Sequence, residues 1–397
     1  MLIKKFIPAL IKSKWHGFKA KVKRFVKYRN PVDVFKYDKN LYWIDPRDIK
    51  NATKKGLHII DNENKIIAGD WDKPYIAFTQ LDVYTSIKKR IETKISWRET
   101  PLYQRILQEI KKGNSKWGCT TQEQLDKRCI SIDLLISDMQ ENGYRAQNSK
   151  DEITVNIGRD GIILLNHGRH RLACAKLLDI REIPIKITAR HQKWIEFKKE
   201  ILNYAMLNQG MVYAPLAHLD LQDIPSRHKG RFEIIKAHLA VSGGKMLDIG
   251  SHWGYFCHRF EDLGFDCTAI EQNQDCFYFL EKLKKSTGKN FKAIKANVLE
   301  FLNEQQDFDV VIALSIFHWF IRDKETFSKF KKILAKLKMR EMYFQSHSQD
   351  HSLMQGAYRN FSGEEFVAFI IENSCLDSFK LIGQEGNRNI FKIYRRI

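Results

Sequence analysis

The 397-residue chain has seven cysteines, Cys119, Cys129, Cys174, Cys257, Cys267, Cys276 and Cys375. No two form a C-x-x-C pair and they follow no even framework. That excludes a structural zinc ribbon and a disulfide scaffold, and it points to a reducing compartment. No apolar run approaches the roughly eighteen residues of a spanning helix, and no signal-peptide pattern is present, so the expectation is a protein made and kept in the cytosol. No metal-ligand set is readable, and no repeats or low-complexity linkers interrupt the chain. Acids are missing from one place in particular: residues 1–30 contain ten Lys or Arg and neither Asp nor Glu.

Those ten cations make up half of a formal net charge of +20. In the same stretch Ile3, Phe6, Ile7, Leu10, Ile11, Trp15, Phe18, Val22, Phe25 and Val26 recur at helical spacing, so a helix there has an apolar face opposite a lysine face. This composition predicts an interfacial helix on an anionic membrane, where each basic residue contributes on the order of 1 kcal/mol. A helix packed on the body of the protein and a nucleic-acid arm are the competing readings, since phosphate attraction uses lysines equally well. The membrane reading implies a peripheral protein on the inner face of the cell membrane.

Residues 246–271, MLDIGSHWGYFCHRFEDLGFDCTAIE, carry the densest pattern. An apolar strand runs into Asp248 and a glycine turn, and a second strand ends on Glu271. Gly250 and Gly254 let the backbone approach a ligand, and an acid about twenty residues on can accept hydrogen bonds from a ribose diol. Phe291 to Asn297 reads as a third strand, Phe308 to Ser315 as a fourth, and further strands follow from Glu341, Phe379 and Asn389. The layout resembles the class I methyltransferases that use S-adenosylmethionine, with His252 in place of the middle glycine. The resemblance implies that Asp248, Gly250, His252, Gly254 and Glu271 hold the cofactor and that Asn297 meets the adenine amino group. It also places His318, after the fourth strand, beside the methyl group as base or positioning group; an imidazole merely satisfied at a strand end is the alternative. The Asn/Asp-Pro-Pro-aromatic tetrapeptide of the amino-directed nucleic-acid methyltransferases is absent.

Upstream, an amphipathic helix around Ile132 to Gly143 leads to Ile153-Thr-Val-Asn-Ile. Gly161-Ile-Ile-Leu-Leu-Asn-His167-Gly-Arg-His-Arg171-Leu-Ala-Cys and Ile183-Pro-Ile-Lys-Ile follow. Strand, glycine turn, basic residues and helix start form an anion cradle. The run resembles the ParB/sulfiredoxin superfamily, whose members bind nucleotide phosphates at this turn. That resemblance implies that Gly168, Arg169, His170 and Arg171 bind the phosphates of ATP or another nucleoside triphosphate with magnesium. His167 then acts as base, assisted by an upstream acid such as Asp72 or Glu99. Sulfiredoxins carry a cysteine where this chain has Arg169, which argues against sulfinic-acid repair, and no helix-turn-helix follows for a DNA-partition role.

The expected architecture is α/β. Residues 1–30 form the membrane-surface helix, 31–195 an α+β ParB/sulfiredoxin-like domain, 196–235 a helical linker, and 236–397 a Rossmann-like seven-stranded methyltransferase domain. Aromatics beside acids in residues 31–120, such as Gly69-Asp-Trp-Asp72, read as core and rim or as a sugar-stacking wall. Together these suggest a bifunctional enzyme that phosphorylates and methylates a membrane-associated glycan or glycolipid. Two alternatives stay open: an RNA methyltransferase with a basic binding domain, and a methyltransferase with a non-catalytic nucleotide-sensing domain.

Overall fold

A computed structural model describes residues 41–53, 65–145, 152–302 and 306–396; the basic segment 1–30 lies outside them. The described chain forms two sheets, each of seven strands. The first uses β1 (Tyr42–Ile44), β2 (Asn51–Thr53), β3 (Lys65–Ile67), β4 (Tyr75–Ala77), β5 (Ile153–Ile157), β6 (Ile163–His167) and β7 (Ile183–His191), in the order β1-β7-β5-β6-β2-β4 with β3 also on β7. β7 is long enough to take β1 antiparallel along its first half and β3 parallel along its second. Eight of its nine residues are buried, including the polar Thr188, Arg190 and His191, which alternate with or follow apolar neighbours.

Helices α1 (Asp82–Thr93), α2 (Pro101–Lys111), α3 (Gln122–Asn142) and α4 (Arg169–Leu177) supply the apolar partners of this sheet, and all contribute to one buried cluster. The start of α3 is set by Thr121, whose side chain takes the Gln124 amide while Gln124 returns a bond to the cap. Within the core, α5 (Gln192–Leu207) buries Trp194, Phe197 and Ile201.

The second sheet follows α6 (Arg231–Lys236). In chain order it comprises β8 (Gly244–Ile249), α7 (Tyr255–Asp262), β9 (Phe265–Glu271), α8 (Gln274–Ser286), β10 (Lys292–Lys295), α9 (Val298–Phe301), β11 (Gln306–Leu314), α10 (Lys324–Lys336), β12 (Leu337–Gln345), α11 (Gly363–Glu372), β13 (Ser378–Glu385) and β14 (Arg388–Tyr394). The strand order is β10-β9-β8-β11-β12-β14-β13. The first five are parallel, and β14 enters antiparallel between β12 and β13. The order reverses between β8 and β11, and the crevice outside the carboxyl ends of those strands is where open α/β sheets bind ligands.

The stretch expected as a helical linker is different in kind. Only Gln192–Leu207 and Arg231–Lys236 are helical, and the residues between them form a strap. Leu216, Leu219, Leu221 and Ile224 of the strap are buried in the first core, so apolar burial rather than helical propensity sets its path. His218 Nε2 lies 2.8 Å from the Gly161 carbonyl, and Asp220 pairs with Arg190 at 2.8 Å with neither side chain exposed. The two halves also share apolar surface: Trp253 of the glycine turn and Leu283 of α8 belong to the first core, and Trp253 lies 4.7 Å from Tyr204 of α5, ring to ring. No described helix is long and apolar enough to cross a membrane.

Candidate functional site

The glycine turn after β8 places the first set of expected residues together. Gly250 and Gly254 both adopt left-handed backbone, at φ of 68° and 77°. A Cβ on Gly250 would come within 2.8 Å of Ile316, so the turn there is closed to any side chain. His252, standing where the resembling family has glycine, is itself left-handed at φ of 53°, and that conformation aims its backbone N–H at Glu271 Oε2, 2.9 Å away. Glu271 Oε1 takes the Asn273 amide at 2.7 Å. The acid at the end of β9 is thus fixed over the turn by two backbone donors. Burial nonetheless raises its pKa.

Asp248 is the most telling residue. Its carboxyl is buried, Oδ2 has no hydrogen-bond partner among the described residues, and it lines a cavity with Gly250, His252, Tyr213 and Arg231. Burial first, and then the Glu271 charge, push its pKa up to about 8. A buried acceptor without a partner is costly unless a ligand supplies the donor. The ammonium and hydroxyl groups of S-adenosylmethionine are donors of the required kind, so the residues present fit that cofactor.

The strap roofs this cavity. Tyr213 accepts a hydrogen bond from Arg231 Nη1 at 3.0 Å, and its ring lies 5.0 Å from the His252 ring. Arg231 is anchored by Glu385 at 2.5 Å, and His228 reaches the same carboxylate at 2.7 Å. The His252 ring itself packs among Tyr204, Tyr213 and Trp253, and burial lowers its pKa to about 4. His252 therefore contributes a backbone donor and an uncharged wall.

Asn297 caps α9, its side-chain oxygen accepting the Leu299 amide at 2.9 Å. The carboxamide N–H and the second lone pair of the oxygen are left for a ligand. Asn297 lines an open groove with Gln272, Leu299, Trp319 and Phe320.

On the other side of the crevice, His318 sits in the short turn Phe317–Ile321 after β11. Its Nδ1 is buried without a partner among the described residues, as is that of His347, and the two rings are 5.6 Å apart. His347 Nε2 lies 3.2 Å from Asn360 Oδ1. Burial, followed by His347 and Arg388, lowers the His318 pKa to about 4; burial also lowers that of His347. Both imidazoles are neutral at ordinary pH and able to accept a proton. Ser315, just before them, is held in left-handed backbone at φ of 57°. Its hydroxyl donates to Gln345 and accepts from Arg388, each at 3.1 Å. Of this group only His318 was expected from the sequence. Ser315 and Gln345 end adjacent strands, a positional signal that was available, whereas His347 and Arg388 arrive from later segments.

By strand order and by the placement of Asp248 and Glu271, the C-terminal half has the fold of the S-adenosylmethionine-dependent class I methyltransferases. Residues 225–340 match the family of the tellurite resistance protein TehB. No curated protein matches the chain in sequence. Among solved structures, the bifunctional kinase-methyltransferase WbdD is similar at 17% identity and a TM-score of 0.40, over 49% of this chain and 46% of that one. The chain thus spans less than half the length of WbdD. TehB from Haemophilus influenzae is similar at 16% identity and a TM-score of 0.34, over 42% of this chain and 62% of that one. The 16S rRNA N2 G1207 methyltransferase RsmC of T. thermophilus, solved with AdoMet and guanosine, has 16% identity and a TM-score of 0.32, each chain being covered to 42%.

The second expected site lies at the start of α4. Gly168 caps the helix at φ of 94°, and a Cβ there would meet Ile153 at 2.8 Å, so only glycine seats the turn. His167 and Arg169 are exposed beside it, and Arg171 is partly buried. His170 departs from the expectation. Its ring stacks on Trp117 at 4.8 Å, with Arg128 over Trp117 at 5.3 Å. Burial, then Arg128 and Arg169, lower its pKa to about 4, so it is a neutral wall rather than a phosphate-binding cation. Asp72 is also placed elsewhere. It forms a 2.6 Å ion pair with Arg159 at the far end of β6 from His167, and Glu99 is exposed in the turn before α2. Among the described residues no hydrogen bond or ion pair joins either acid to His167.

Proposed function

We infer that the C-terminal half transfers a methyl group from S-adenosylmethionine to an acceptor that presents an oxygen to His318, His347 and Arg388. The observation that carries this is the buried Asp248 Oδ2 at the glycine turn, without a partner among the described residues, one strand from the Glu271 carboxylate. Bound there, S-adenosylmethionine would supply an electrophilic methyl group. Asp248 and Glu271 would hold its polar ends, and Asn297 would donate to its base. Tyr213 and the strap close the cavity from above, excluding water. On the acceptor side, a hydroxyl would give its proton to the neutral His318, whereas a phosphate oxygen would need only orientation by Arg388 and His347.

The first half, in the same reading, binds a nucleoside triphosphate at the α4 turn through Gly168, Arg169 and Arg171. His167 would act as base for phosphoryl transfer to the same acceptor, a membrane-associated glycan or glycolipid. The support is the free helix start with exposed Arg169 and His167, together with the basic segment 1–30.

Calorimetry with purified protein tests both donors separately. S-adenosylmethionine should bind wild type and fail to bind Asp248→Ala, and ATP with magnesium should bind both. Absence of S-adenosylmethionine binding to wild type would overturn the methyltransferase reading. Mass spectrometry of lipid-linked glycans from cells with and without the protein should then show phosphate and methyl masses added together.

A further inference from the structure

His318 and His347, 5.6 Å apart ring to ring, are carried by two loops. One is the turn Phe317–Ile321 with the residues that lead into α10, and the other runs from Ser346 to Ser362. They are joined backbone to backbone: the Tyr358 amide donates to the Arg322 carbonyl and the Arg359 amide to that of Ile321, both at 2.9 Å. The joined loops expose three large apolar side chains, Trp319 at 43%, Leu353 at 37% and Tyr358 at 41%. Cations are paired with the rings. Arg322 lies over Trp319 at 5.3 Å and Arg359 over Tyr358 at 5.1 Å, and Lys324 is exposed beside Arg322.

Single exposed apolar residues need no explanation, but aromatic, aliphatic and cationic groups on one hydrogen-bonded rim do. We propose that this rim docks on an anionic lipid surface and so presents His318 and His347 to a lipid-anchored substrate. The proposal rests on the reading of these residues as the methyl-acceptor site. Trp and Tyr favour the headgroup level, where one end of the ring is apolar and the other wet. Arg and Lys stems lie along apolar surface while their charges reach lipid phosphates. Asp323, which caps α10 through Thr326, and Asp350, which accepts from Ser348, stay charged beside these cations, so docking needs the apolar side chains as well as Arg322, Lys324 and Arg359. A single-stranded nucleic acid would use the rings and cations but gains nothing from Leu353.

The test uses the full chain in vesicle co-sedimentation, with phosphatidylcholine alone and with phosphatidylcholine containing phosphatidylglycerol, alongside a single-stranded RNA binding assay. Wild type should partition onto the anionic vesicles only, and salt should weaken that partition. The double variant Leu353→Ser with Tyr358→Ser, and separately Arg359→Glu, should lower partition at least about tenfold while S-adenosylmethionine binding stays at the wild-type value. Equal partition of wild type and variants overturns the proposal and assigns any membrane binding to the residues 1–30. Loss of RNA binding in these variants, with vesicle binding unchanged, overturns it in favour of nucleic acid. Failure of wild type to bind S-adenosylmethionine sinks the functional reading alone, because vesicle partition is measured without it.

Discussion

Asp220 Oδ1 lies 2.8 Å from Arg190 Nη2 with both side chains fully buried, and the other oxygen of the same carboxylate accepts the Trp194 indole N–H at 2.8 Å. Burial alone would raise the Asp220 pKa, but Arg190 and Lys198 outweigh it and hold the carboxyl below its usual range. The pair pins the strap to the first half seven residues after Tyr213 has crossed the donor cavity, so one ion pair links the stability of one half to the ligand site of the other.

Breaking that pair should therefore have two effects. Asp220→Ala removes the buried carboxylate that Arg190, Trp194 and Lys198 share, which costs about 3–5 kcal/mol, and it loosens the strap. Thermal unfolding should shift down accordingly. In whatever protein remains folded, S-adenosylmethionine should bind more weakly. Unchanged affinity in a destabilised variant would show that the strap is a spectator.

The raised Asp248 pKa makes a separate prediction. Its folded value of about 8 lies above its unfolded value. The folded protein therefore holds a proton that the unfolded chain releases, and the associated stability is present below about pH 4 and lost as the pH rises toward 8. Wild type free of ligand should lose stability across that window relative to Asp248→Asn, which has no proton to lose. Parallel melting curves of the two proteins from pH 5 to 8 would contradict it.

His318 should act through its neutral form. With its pKa lowered to about 4, the acid limb of kcat is expected near pH 4 rather than near the ordinary imidazole value. If the acceptor is a hydroxyl, His318→Ala should lower kcat by roughly 10²–10⁴ while S-adenosylmethionine affinity changes by less than about threefold. A loss smaller than tenfold would make the imidazole a packing group, or the acceptor an oxygen that is already anionic.

At the α4 turn, Arg169→Ala should weaken nucleotide binding by about tenfold or more, since it removes a charged donor. Gly168→Ala should destabilise the first half by about 1–3 kcal/mol, because its φ of 94° is unsuited to a side chain. Arg169→Ala should leave S-adenosylmethionine binding intact. Calorimetry and thermal melting read the two effects separately; nucleotide affinity unmoved by Arg169→Ala would remove this turn from the site.

Asp248, Gly250, Gly254 and Glu271 were legible in the sequence because each is set by its own neighbours: a strand end, a left-handed turn, the next strand end. The alternation of strand and helix signals likewise carries the parallel α/β character of the second sheet, since parallel strands need crossovers. His170 was misjudged because the Trp117 ring that packs on it and the Arg128 charge beside it come from distant segments. Asp72 was misjudged because its partner Arg159 lies 87 positions away. Tyr213, His347 and Arg388 were not singled out, since each reaches its site from a distant segment. Local chemistry and periodicity are written along the chain. Which side chain is buried, which acid is already paired and what covers a cavity depend on contacts between distant segments, and only the folded packing decides them.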